Sequence, residues 1–207
     1  MADVADQEGA DRIAGGALIA GSLLSVLAMA HHPDHVDPGG LVGIVHGAMI
    51  VLMSVIAFGF AHFALRRGLG RPAILAGLIA YFIGLVADLG AGTTNGFIVP
   101  ALAARGADLS GHDVFLLAWE ANQALARLGV FATAAAFTFW SIDFLRRTGL
   151  EAKAIGGLGL LAGLVPAILL ATGATDMHVA GAFMAYAAFA AWGAIVGMHL
   201  LRGKLEA

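Results

Sequence analysis

The 207-residue chain has no cysteine. That excludes disulfides, thiolate metal sites, iron–sulfur clusters and covalently attached c-type haem, so any metal must be held by histidine, carboxylate, methionine or backbone oxygen. Charge is also scarce. Asp, Glu, Lys and Arg make up 12% of the residues, where soluble domains carry nearer ~25%. A net charge of −3, with no basic cluster longer than three residues, gives no footing to a nucleic-acid partner. Extended polar stretches are missing as well, which leaves no room for a second domain.

What fills the chain instead is apolar. Hydrophobic residues reach 60% and the mean hydropathy is +0.88, the composition of an integral membrane protein in contact with lipid. The 29 glycines suit helices that approach closely where lipid offers no hydrophobic drive between them. Six apolar runs are present, at 13–30, 41–65, 73–89, 114–145, 155–172 and 179–201. Each reaches or approaches the ~20 residues that cross a ~30 Å hydrocarbon core. The fourth exceeds that length, so its first turns are expected to project from the membrane. The expected fold is all-α and polytopic, six transmembrane helices in one bundle. Residues 1–10 read as a polar tail, 11–202 as the transmembrane domain and 203–207 as a C-terminal tail. The first run ends in Ala28-Met29-Ala30, the small-x-small form of a signal-peptidase site. Its acidic flank and its length make it read as a retained span.

Arginine and lysine gather in alternate connections. Arg66, Arg67 and Arg71 separate spans two and three, Arg146, Arg147 and Lys153 separate four and five, and Arg202 and Lys204 follow span six. By the positive-inside rule both termini are cytoplasmic, in a bacterial inner membrane. The other connections then face the periplasm. FALRRGLGRPAILAGL (63–78) and DFLRRTGLEAKAIGGLGL (143–160) form a weak internal repeat across two of the basic turns. It arises either by duplication or as two separate ways of placing arginines at one surface.

Four of the eight histidines fall between Ala30 and Gly47, in AHHPDHVDPGGLVGIVHG. At 1.5 Å per helical residue, a residue's distance in sequence from the nearest basic turn measures its height. His46 precedes Arg66 by 20 residues, and Asp88 follows Arg71 by 17; these separations correspond to about 30 and 26 Å. Arg127, Glu120 and His178 come out at about 28 to 39 Å by the same measure. Residues from four spans thus converge near the outer boundary of the bilayer. Asp113, Glu120, Gln123 and Arg127, spaced seven, three and four residues apart, read as a stripe on one side of span four. His62, His199, Trp140 and Asp143 fall near the inner interface.

Polar residues inside spans normally face the bundle interior or a watery cavity. An outward-facing cavity of His46, His178, Asp88 and Glu120 offers imidazole and carboxylate ligands for a transition metal, zinc or copper. His31, His32 and His35 complete the shell or gather ions, and Met29, Met49 and Met177 lie near the same level. Glu120 or Asp88 is the expected base if a metal-bound water attacks a small amphiphilic substrate. Three alternatives stay open. The acids, histidines and Arg127 form a cofactor-free network, Asp88 pairing with Arg127. Haem b binds between His46 and His178, with Arg127 near a propionate, for electron transfer. A non-enzymatic transporter or assembly partner uses the cluster to carry protons. Gly159 and Gly163 on span five offer a face for helix packing or a homo-oligomer.

Overall fold

The computed structural model describes residues 4–33, 40–105 and 113–203, and all regular structure among them is helical. The helices are α1 (Val4–Ala30), α2 (Leu41–Arg67), α3 (Pro72–Thr93), α4 (Val99–Ala104), α5 (Asp113–Leu145), α6 (Leu150–Ala171) and α7 (Val179–Leu201). A π-helical segment, Thr94–Ile98, joins α3 to α4 without a break, so Pro72–Ala104 acts as one span. With α1, α2, α5, α6 and α7 it makes six helices long and apolar enough to cross a membrane. Each is apolar all round rather than along one stripe, as a helix must be when its outer face meets lipid. Outward side chains such as Ile44, Val86 and Leu117 are about as exposed as in an isolated helix. In water a belt of that kind drives aggregation. In a bilayer it is the lipid contact.

Two boundaries differ from the expected ones. The tail expected at 1–10 is helical from Val4, α1 continuing past Asp11 for about two turns. The third span, expected to stop near residue 89, runs on for four turns. Nothing in Gly90–Ala104 ends it, and Pro100 is carried at the second position of α4, directly after the π segment.

Consecutive spans pack on one another and α7 returns to α1, closing an antiparallel ring in the order α1–α2–α3–α5–α6–α7. One end carries the basic turns. Gly68 and Gly149 there adopt φ of 92° and 107°, values at which a Cβ is strained. Three ionic clusters also sit at this end. Asp11, buried on α1, accepts from His62 at 2.6 Å and Arg66 at 2.9 Å. Asp143 on α5 pairs with Arg67 and, at 3.4 Å, with Arg71. Glu151 on α6 lies 3.7 Å from His199 and 3.4 Å from Arg202. The first and third clusters tie neighbouring spans together, and the second ties α5 to the end of α2 and the turn before α3.

The ring's centre is aromatic. Phe60 stacks on Trp140 at 5.2 Å and on Trp192 at 5.9 Å, and Phe137 lies 4.3 Å from Trp192. The Trp140 indole N–H donates to Ile74 O at 3.2 Å and that of Trp192 to Ile155 O at 3.0 Å. Each indole occupies the space that a side chain at Gly77 or Gly159 would need. Trp140 thus lies at the depth expected of it but in the core, not at the interface. Gly159 and Gly163 are likewise spent inside the ring, against Trp192 and the α5 backbone at Ala134.

Candidate functional site

The end of the ring opposite the arginines holds a cavity of about 200 Å³. Its polar lining comes from the chain after α1 (His32), from α2 (His46), α3 (Asp88), the π segment (Asn95), α5 (Asn122, Gln123) and α7 (Tyr186). Met29, Met49, Met53 and Met177 supply much of the rest.

The tightest constellation is a pair of imidazoles. His46 Nδ1 lies 2.8 Å from Val42 O, one turn back on α2, and His32 Nδ1 lies 2.7 Å from Pro33 O. A carbonyl oxygen only accepts, so each Nδ1 carries the hydrogen and donates it. In the neutral imidazoles each Nε2 then presents a lone pair. The two Nε2 atoms face each other at 3.3 Å, with the rings edge to face. Two acceptors so placed repel unless something positive lies between them. Asn95 Nδ2 is 3.5 Å from His46 Nε2. The π segment swings Asn95 into this position, and its next residue, Gly96, lets the backbone close on His46, whose Cβ takes the space a Gly96 side chain would need. Single π turns of this kind recur at functional sites.

Deeper in the cavity Asp88 is 8% exposed. Its Oδ1 accepts from the Tyr186 hydroxyl at 2.7 Å, and its carboxylate rests on Gly129, where a side chain would displace it. Asp88, Tyr186, Met49 and Met53 also line a second, smaller chamber of about 70 Å³ beneath, with Ser22, Ser25 and Thr133. That chamber ends at Phe60 and Phe137, the top of the aromatic centre.

Of the residues expected at the site, His46, Asp88 and His178 line one cavity, together with His32. His178 is at the rim, its ring 5.4 Å from that of Trp119. Its backbone N–H donates to Asp176 Oδ1 at 3.0 Å. His31 is exposed and caps α1, its Nδ1 2.8 Å from Leu27 O. His35 lies outside the described residues. Glu120 and Arg127 are exposed on the outer side of α5 and do not line the cavity. The face of α5 turned inward runs through Asn122, Ala126, Gly129 and Thr133. At 100° per residue Glu120 and Arg127 sit about 130–150° round the helix from its centre. The expected stripe thus splits, only Gln123 reaching the cavity, where its amide donates to Met177 O at 3.4 Å. Asp88 pairs with Tyr186 rather than Arg127. Among the described residues no group of three or more His, Asp or Glu stands ready for a metal.

His32, Asn95 and Tyr186 matter more than sequence reasoning indicated. His32 was expected at the shell only together with His31 and His35, with nothing to set it apart from them. Asn95 depends on the π turn, which no pattern announced, and Tyr186 sits in a span among alanines. An unpaired Asp88 was the available signal for the tyrosine, since a buried carboxylate needs a donor.

Of the inner histidines, His62 is engaged by Asp11, and His199 packs edge to face on Phe144 beside Glu151.

Fold and site together define a polytopic helical membrane protein with one cavity open at the end remote from its basic turns. No family model, curated protein or solved structure matches the chain.

Proposed function

We propose that the cavity binds a transition-metal cation, zinc or copper, and that His32 and His46 are its first two ligands. The carrying observation is the opposed Nε2 pair at 3.3 Å. Two nitrogens each about 2.0–2.1 Å from a tetrahedral ion stand about 3.3–3.4 Å apart. Hydrogen bonds from both Nδ1 atoms to carbonyl oxygens supply the outer-shell support that fixes a ligating imidazole's tautomer and raises its basicity. Asn95 is placed to offer its amide oxygen after a flip of the side chain, and the remaining positions are open to water or cargo.

The role we assign is capture of the ion from the outward, periplasmic side of a bacterial inner membrane, the orientation supported by the arginine-rich turns. Glu120 faces away and Asp88 is engaged by Tyr186, so the arrangement supports binding better than hydrolysis of an amphiphile. A second reading, one proton shared between the two imidazoles in a proton-carrying protein, draws on the same lone pairs.

Elemental analysis and zinc titration of the purified protein separate these readings. Close to one zinc or copper per chain is expected, falling at least about tenfold in affinity on His32→Ala or His46→Ala. His178→Ala is expected to change affinity less than about threefold. A metal-free protein that neither binds zinc nor gains thermal stability from it would end the metal reading.

A further inference from the structure

We infer that the cargo of this site is monovalent copper, drawn inward from the imidazole pair by a ladder of methionine thioethers that ends at the Asp88 carboxylate. The inference rests on the metal reading of His32 and His46 and adds the identity of the ion. Met49 and Met53 follow His46 at three and seven residues, so the three side chains share one face of α2. Met29, from α1, is buried against Met49, and Met53 packs on the same group. With Met177, four of the chain's seven methionines line the cavity that contains the histidine pair. Methionine is a common gap-filler in cores, yet these four line a cavity instead of filling it.

Two further observations favour a soft, singly charged ion. Thioether and imidazole are both neutral, and thioethers select Cu(I) over zinc. The ladder then reaches Asp88, whose carboxylate is buried with a neutral phenol as its partner. Among the described residues no lysine or arginine lines either chamber. A carboxyl group buried in a membrane interior either keeps its proton or takes a positive counterpart. One copper(I) among neutral ligands matches that single negative charge, whereas a divalent ion leaves an excess. Met49, Met53, Asp88 and Tyr186 border both chambers, so the lower one adjoins the capture site. The aromatic centre beneath closes the path, which makes the lower chamber a holding site.

The test compares the full-length protein in detergent with Met49→Leu/Met53→Leu and His46→Ala. Leucine preserves volume and apolarity, so folding is retained. Affinities for Cu(I), measured anaerobically against a chromogenic chelator, and for Zn(II) are read on each. The methionine variant is expected to lose about tenfold or more in Cu(I) affinity while Zn(II) changes less than about twofold. X-ray absorption of the native Cu(I) complex is expected to show a sulfur shell that the variant lacks. Unchanged Cu(I) affinity in the methionine variant, or an equal fall for both metals, overturns the copper assignment. The metal reading survives that result if His46→Ala still abolishes Zn(II) binding. If His46→Ala binds both metals like the native protein, both inferences fall.

Discussion

At the scale of single residues, the histidine pair depends on a missing side chain. Gly96 faces His46 across the junction of the π segment and α2, and a Cβ at residue 96 overlaps the His46 Cβ and crowds its Cγ at 2.8 Å. Neither atom is the flexible end of a long side chain, so relief requires α2 or the π segment to shift. Gly96→Ala is therefore expected to cost about 1–3 kcal/mol, the usual range for overpacking. It should also weaken zinc binding, because the Nε2 separation changes with the backbone. A thermal melt and a zinc titration on one preparation check both effects. An alanine variant with native stability and affinity would mean that His46 is held by α2 alone. Sequence inspection brought His46 and Asp88 to one level because depth along a helix follows from counting. It misassigned Glu120 and Arg127 because counting fixes height but not which arc of α5 faces inward. That arc is set by Gly129 and Thr133, whose small side chains admit α3.

At the scale of elements, α1 is the span least expected to bury a charge, yet Asp11 is 3% exposed. Its carboxylate takes hydrogen bonds from His62 and Arg66 on α2 and so fixes the start of α1 against the end of α2. Asp11→Asn keeps the size but removes the negative charge that Arg66 and His62 share. Removing one partner of a buried pair costs about 3–5 kcal/mol, and the part-exposed His62 and Arg66 place this case at roughly 2–3 kcal/mol. A correspondingly lower unfolding midpoint is expected, with metal affinity unchanged because the cavity lies at the other end of the ring. The arginine-rich repeat was visible in the sequence; its packing partners were not. Ile74 with Gly77 and Ile155 with Gly159 each receive a tryptophan from the next span. The device depends on Trp140 and Trp192, which lie outside the repeated segments.

At the scale of the molecule, the ring is polarised. Ionic clusters and arginines close one end, the histidine pair and amides open the other, and stacked aromatic rings separate them. Six spans were legible because a ~30 Å apolar slab enforces the length of each run, and the gathering of arginines in alternate connections could be read directly. Closure of α7 on α1 was not, since helices apolar all round carry no mark of which face meets which neighbour. The polarity is open to a direct test because the chain contains no cysteine to obscure it. Ala174→Cys, exposed beside the cavity, and Gly70→Cys, exposed in a basic turn, report the two ends separately. In intact cells a membrane-impermeant maleimide is expected to label Ala174→Cys and to spare Gly70→Cys, with both labelled once the membrane is broken. The opposite pattern would turn the histidine pair toward the cytoplasm and make the site a collector of cytosolic metal. Its chemistry would be the same, but the direction of capture would be reversed.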